Sequence, residues 1–424
     1  VPNDYISKTY LEISQKLVGT VWSLWETGGN TAISARSLAR QSGIPISTIY
    51  NHFASLDDVL YLAQERALAE ARLWCDSQME QLSPAVEQPE SISVPTAAPT
   101  ASGLDAIMAA IIDEWVRGQR HLCFAWREGL LLARREPRYL PIWRGWRDLW
   151  AEFWHAVCSR FGLGEFGEWT SFIFESEATL HMLSWRRVLD RACLDELCTG
   201  WVTWLSGQRA PDGPWRSLAR QIALASSPAP AVYDEMTQRV ALAAAEVVER
   251  RGVANLTHRS VAASAGVSLG VVSSRFRTSA DLLHAAFEMI YSALSGQRSI
   301  AIAASQEAAG TSERTDTVQA ATLVRQAHRW AVDELMLATA REPSFQSMAP
   351  QMRYLRGRSA RNLLGAKAQM SWLDAALLSG FTAGMQRATI DFSAHEQGNI
   401  GRAHMARLTQ LLGLPGSSSD GFVL

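Results

Sequence analysis

The side chains whose types and spacing point to chemistry in this 424-residue chain are polar and cationic groups in two places. One stretch holds Ser34, Arg36, Ser47, Thr48, Tyr50, Asn51 and His52; the other holds Thr257, Arg259, Ser274, Arg275 and Arg277. An Arg guanidinium can grip guanine O6 and N7 with two hydrogen bonds, and an Asn amide can grip adenine N6 and N7. Catalytic patterns are missing. Cys193 and Cys198 stand with four residues between them, but nothing nearby completes a zinc tetrad. The nine His are dispersed without an H-E-x-x-H, and His155 and His181 read as core or capping groups. There is no G-x-G-x-x-G, Walker A or G-x-S-x-G pattern. The expectation is a protein that is not an enzyme and uses no metal or cofactor.

The two stretches belong to an internal repeat. Ser34–Leu60 aligns with Thr257–Leu283 without a gap at an offset of 223 residues. Arg36 pairs with Arg259, Ser37 with Ser260, Ala39 with Ala262, Gly43 with Gly266, Phe53 with Phe276 and Asp58 with Asp281. Upstream, Tyr10 pairs with Tyr233 and Gly29 with Gly252. Further on, Arg135-Glu136-Pro137 matches Arg341-Glu342-Pro343 at an offset of 206, and Trp169 and Met182 match Trp372 and Met385 at 203. The first copy therefore carries about 17 extra residues, visible as the Pro/Ser/Ala-rich stretch 83–103, which reads as a mobile loop. Its shorter counterpart is Ser305–Asp316, and Ser226–Ala231 separates the copies.

The elements that position these residues are helices. Leu11–Trp25 has apolar residues at Ile13, Leu17, Val21 and Leu24, and Met236–Val248 repeats this with Val240, Ala244 and Val247. Within the repeat, Ser34 or Thr257 can cap a short helix (Ala35–Gln41 in the first copy). Gly43 or Gly266 permits the sharp turn that follows, and Ile44 and Val267 fall inward. A second short helix runs from Ile46 to His52 and from Leu269 to Arg275, closed by Phe53 or Phe276. This is a helix-turn-helix, a unit whose second helix fits a DNA major groove. The residues expected to face bases are Arg36, Ile46, Ser47, Thr48 and Asn51 in the first copy, and Arg259, Leu269, Gly270, Val271 and Ser274 in the second. Tyr50, His52, Arg275 and Arg277 are better placed for phosphates.

This pattern resembles the TetR family of bacterial transcriptional regulators. The residues that carry the likeness are Ser34, Leu38-Ala39, Ser42-Gly43-Ile44, Tyr50 and Phe53, then Thr257, Val261-Ala262, Ala265-Gly266-Val267-Ser268 and Phe276. It covers about 50 residues per copy. Three departures stand out: Pro45 for a Ser, Ser273 for a phosphate-contacting Tyr, and Leu56 and Ser279 where the family has Lys. The resemblance implies an all-α fold of two repeats, each a three-helix head plus a ligand-binding and dimer-forming helical body. It also implies a double-stranded DNA operator, a small-molecule effector and a repressor. Family members pair as homodimers, and one chain holding both copies implies a single-chain pseudo-dimer whose halves join through their last two long helices. The two recognition helices differ at nearly every exposed position, so the operator should be asymmetric.

The expected boundaries are a head at 1–66, a body at 67–222, a linker at 223–232, a second head at 233–289, a second body at 290–412 and a flexible tail at 413–424. With 40 Lys+Arg against 42 Asp+Glu, the chain is no polycation or acidic tail protein. No stretch approaches the ~18 apolar residues of a membrane helix. Val1–Tyr10 is polar and shows no signal-peptide core, and the opening Val suggests that preceding residues were removed. Five scattered Cys suit reduced thiols in a cytoplasm. Fourteen of the 16 Trp precede residue 216. Trp143, Trp146, Trp150 and Trp154, followed by Trp169, Phe172 and Ile173, are expected to pack against the small Ala375, Ala376, Ser379, Gly380, Ala383 and Gly384 of the second copy; the alternative is that the Trp stripe is plain core within the first half. A hydrophobic effector is expected in the aromatic first body, with Trp115, His121, Phe124, Trp126, Glu128 and Leu131 as its candidate lining, although each of these taken singly reads more readily as ordinary core. The second body offers His328, Trp330, Glu334 and Met336. The competing reading is a TetR-like chain with degraded DNA binding that acts through a protein partner.

Overall fold

The computed structural model describes residues 2–82, 103–210, 212–226, 233–295, 330–357, 361 and 370–413. Among these, every regular element is helical, as the periodicity requires. Nearly all of the expected loop at 83–103, Ser305–Asp316, residues 227–232 of the linker, His328 and the tail after Gly413 lie outside the described residues.

The chain divides into two compact units, Val1–Ile222 with Ala360–Leu424, and Ala223–Ser359. The first begins with α1 (Pro2–Thr27), α2 (Ala35–Ser42), α3 (Ile46–His52), α4 (Leu56–Gln81) and α5 (Leu104–Gly118). It continues through α6 (Arg120–Arg135), α7 (Leu140–Ser159), α8 (Gly167–His181), α9 (Arg187–Leu205) and α10 (Pro214–Ala225). Helix α10 thus carries regular structure into the stretch expected to be a linker. The second unit holds α11 (Glu235–Arg251), α12 (His258–Ala265), α13 (Leu269–Arg275), α14 (Ser279–Ser295), α15 (Ala331–Arg341) and α16 (Ala349–Tyr354). Helices α17 (Trp372–Ala388) and α18 (Ala394–Leu411) return to the first unit, so the division follows packing and not the repeat boundary.

Helix α1 buries Leu17, Val21, Leu24 and Trp25, the stripe read from the sequence. It meets α4 where Trp22 donates its indole N–H to the Ala63 carbonyl at 3.0 Å, and α6 where Arg120 pairs with Glu26 at 3.0 Å. Helix α4 can lie close because Ala63, Ala67 and Ala71 form a small-residue row, all fully buried. Buried Gln64 then donates to the Ala125 carbonyl of α6 at 2.8 Å. In the second unit, Glu249 of α11 accepts the Ala331 N–H at 2.6 Å and so caps the start of α15.

The tryptophan stripe of α7 is buried as core within the first half, the alternative reading, and not chiefly against the small residues of the second copy. Trp146 packs on Trp115 and Trp126, Trp150 on Trp74, Trp115 and Phe174, and Trp154 on Phe174. These rings form the core of the first body. Only Trp143 hydrogen-bonds across, donating to the Arg387 carbonyl of α17 at 3.1 Å. The small residues of α17 receive α8, where Phe172 and Ile173 meet Gly384 and Gly380 as expected. A Cβ on Gly384 would stand 2.0 Å from the Phe172 carbonyl oxygen, so the two backbones touch where only glycine fits. Trp169 and Phe172 pack edge-on against Phe381, at 5.4 and 5.6 Å between centroids.

Polar groups lock this seat. Buried Glu175 of α8 accepts hydrogen bonds from Arg127 of α6 and from Arg387 of α17, the latter at 3.2 Å. Buried Asp374, near the start of α17, accepts from the Trp204 indole at 2.8 Å, the Ala210 N–H at 3.0 Å and Arg209 at 3.2 Å. Asp391 pairs with Arg144 and Arg147 of α7. Helix α18 adds Arg407 against Glu165 at 2.6 Å, and His404, whose Nδ1 accepts the Trp169 indole N–H at 2.9 Å.

Two predictions follow from this packing. Gly384→Ala should destabilise the chain by about 1–3 kcal/mol, since backbone must yield. Gly380→Ala should be neutral or stabilising by up to about 1 kcal/mol, because its nearest neighbours begin at 3.5 Å and Ala favours helix. Urea unfolding midpoints of the two variants provide the comparison. His404 is held below the ordinary imidazole value by burial and by the Arg407 charge, against the opposing pull of Glu168. Protonation would also set a second N–H against the Trp169 donor. The folded chain therefore binds this proton less readily than the unfolded chain. Its contribution is complete above about pH 6.5, the unfolded value, and is lost as pH falls toward the lower folded value. His404→Gln should flatten that acid-side decline in Tm.

Candidate nucleic-acid interface

Both repeated segments fold alike from the same local rules. Ser34 accepts the Ser37 N–H at 3.0 Å, and Ser37 Oγ accepts the Ser34 N–H at 2.8 Å. Thr257 and Ser260 repeat the exchange at 3.1 and 3.0 Å. In each copy the second serine also donates to a carbonyl before the helix, Ala32 at 2.7 Å or Asn255 at 2.8 Å. This reciprocal pair fills the orphan N–H groups of the helix start. Sequence reading found the caps but missed their serine partners. The signal was a Ser three positions on, where Glu or Gln is more usual.

Gly43 and Gly266 take φ of 68° and 64°, the left-handed turn that a side chain resists. Leu38, Ile44, Ile49 and Phe53 face inward in the first copy; Val261, Val272 and Phe276 do so in the second, with Val267 half-buried. Tyr10 stacks on Phe53 at 6.1 Å and Tyr233 meets Phe276 edge-on at 6.3 Å, which seats the repeated tyrosines at matching places. Helices α3 and α13 have the expected limits and each spans seven residues.

Their outward faces carry the singled-out residues. Ser34, Arg36, Ile46, Ser47, Tyr50 and Asn51 are exposed, with Thr48 and His52 half-buried. Thr257, Arg259, Leu269, Gly270, Ser274, Arg275 and Arg277 are exposed, with Val271 half-buried. His52 lies against the Tyr10 ring at 5.6 Å. Arg275 turns toward the start of α11, donating to Thr237 at 3.0 Å and lying 3.8 Å from Asp234. The Thr237 N–H and hydroxyl hold the Asp234 carboxyl below its ordinary value, keeping it an anion there. Sequence reading also missed His258, whose Nε2 donates to the Phe276 carbonyl at 2.7 Å and pins α12 to the end of α13. An Ala stands at the matching first-copy position, so the repeat gave no hint of it.

The effector residues lie in packed core. Trp115, Phe124 and Trp126 are fully buried, and Glu128 and Leu131 nearly so. Trp115 lies 6.2 Å from Trp126 and 4.8 Å from Trp150, ring to ring. His121 is half-buried beside Trp22, apart from that cluster. The cavity beside Trp126, also lined by Trp150, Glu175 and Gly384, measures about 20 Å³. That holds about one water, against roughly 300–1,000 Å³ for a small-molecule pocket. In the second body Trp330 is half-buried and Glu334 and Met336 are buried. The chain matches no family model and no curated protein.

Proposed function

We propose that this chain is a sequence-specific DNA-binding transcriptional regulator, a TetR-like repressor that works as a single-chain pseudo-dimer on an asymmetric operator. The observation that carries the reading is the double occurrence of one device. A capped helix, a left-handed glycine and a seven-residue helix present a polar or apolar outward face beside exposed arginines. The side chains of Ser47, Thr48, Tyr50 and Asn51 have no hydrogen bond to another part of the chain among the described residues, so they are open to base edges and phosphates.

The pseudo-dimer reading is supported by register. Gly380 has Ile173 and Glu177 among its nearest neighbours, and Glu177 is its own counterpart at the offset of 203. A residue facing its counterpart marks the axis of an isologous contact. The counterpart of Gly384 is His181, so a first half pairing with another first half would drive an imidazole into the Phe172 backbone. The effector is a hydrophobic small molecule that favours a state in which the heads no longer fit DNA together. In the packed state described here Trp115 and Trp126 pack on one another and on the rings of α7, so an effector entering among them must displace rings. The five cysteines are buried and form no disulfide, and burial pushes the Cys75 thiol well above its ordinary value, which suits a reducing cytoplasm.

Gel shifts with DNA flanking the gene, at low salt where phosphate contacts are strongest, should give a sequence-specific complex whose two half-sites respond unequally to base substitution. The absence of any specific shift would favour the rival protein-partner reading. Solution mass should be 46.7 kDa; a particle of twice that mass would overturn the single-chain pseudo-dimer.

A further inference from the structure

The two outward faces differ in what they can bond, and this deepens the DNA-binding reading on which it rests. On α3, Ser47, Thr48, Tyr50 and Asn51 bring donors and acceptors to the surface, and Ile46 is the apolar exception at 40% exposed. On α13 the residues matching Ile46, Ser47 and Thr48 are Leu269, Gly270 and Val271, none with a side-chain donor or acceptor, and the shorter hydroxyls of Ser273 and Ser274 stand where α3 has Tyr50 and Asn51. Leu269 is 47% exposed. A Cβ built on Gly270 would meet only Ser268 Oγ, at 3.9 Å, so the surface there is open and flat. Ser274 turns its hydroxyl proton back to the Val271 carbonyl at 2.9 Å, and Ser268 Oγ accepts the Val271 N–H. Arg275 is engaged by Thr237 and Asp234.

We infer that the two heads read DNA by different chemistry: α3 hydrogen-bonds base edges, with Asn51 on an adenine, whereas α13 reads thymine C5-methyl groups through Leu269 and Val271. In the major groove the methyl is the apolar feature that separates thymine from the other bases. Arg277, exposed just after α13, supplies charge for the flanking phosphates. The second half-site is therefore thymine-bearing and tolerant of changes that alter only hydrogen bonding.

The test uses the full chain and an operator selected from random duplexes. The half-sites are assigned by which contacts weaken in Asn51→Ala and which in Leu269→Ala; both residues are exposed, and unchanged circular dichroism and Tm verify the fold. Each thymine is then replaced by deoxyuridine, which removes the methyl alone. Affinity should fall about fourfold per contacted methyl in the α13 half-site. In the α3 half-site only a thymine opposite Ile46 should respond. Replacing adenine by 7-deazaadenine should weaken binding about fivefold or more in the α3 half-site and leave the α13 half-site unchanged. The double variant Leu269→Ala/Val271→Ala should abolish the deoxyuridine effect and retain the deazaadenine effect. Deoxyuridine insensitivity of the α13 half-site, or deazaadenine sensitivity there, overturns the inference while leaving DNA binding intact. A chain that selects no DNA overturns the DNA-binding reading and this inference with it.

Discussion

A carboxylate buried without cations is untenable, because the cost of taking it out of water runs to several kcal/mol. Glu175 is buried and is met by Arg127 and Arg387 from two other helices. That requirement holds α6, α8 and α17 in one arrangement. If α17 withdraws, Glu175 loses one of its cations and Trp143 loses its carbonyl acceptor. The contact also has a steric side: the backbones of α8 and α17 touch at Gly384, so the ion pair forms only where a side chain is absent. The two constraints select the same placement. A bulky residue at 384 would push away the helix that carries Arg387.

The same three helices connect the joint between halves to the first head. Helix α6 carries Arg127 at the buried triad and Arg120 against Glu26 of α1, while Gln64 of α4 holds its middle at Ala125. Helix α1 in turn packs on α2 of the head. The second copy has Asp333 where Arg127 would recur and Leu378 where Glu175 would recur, so this linkage is not repeated at the matching positions. The two copies share their heads' local architecture far more closely than they share the means of holding those heads.

That contrast explains what was legible in the sequence. Capping, the left-handed glycine and the seven-residue helices are set by residues a few positions apart, and their limits at Ile46–His52 and Leu269–Arg275 were read without tertiary knowledge. The stripe at Leu17, Val21 and Leu24 was legible for the same reason. Partner choice was not. Trp146, Trp150 and Trp154 were correctly expected to be buried, but periodicity says which face of α7 goes inward, not what it meets. The aromatic residues named for an effector turned out to be the partners of that stripe, with Trp115 and Trp126 filling the space a ligand would need. The triad was invisible because Arg127, Glu175 and Arg387 lie on separate helices with no shared motif. The role of His258 was hidden because its acceptor is a backbone carbonyl 18 residues away.

The first compact unit is interrupted in sequence: its last helices, α17 and α18, are made only after the whole second unit. During synthesis, α8 is complete at His181, yet the residues that cover it extend to His404. At about 5–20 residues per second, the gap amounts to roughly 10–45 s. Throughout that interval the Phe172 face and the Glu175 carboxylate lack their final cover. A second nascent chain on the same message presents the same uncovered α8, but that surface cannot serve as a substitute, because His181 stands where glycine is required. The glycine at 384 therefore does more than admit a close contact in the finished protein. It ties completion of the early half to a segment made only after the whole second unit.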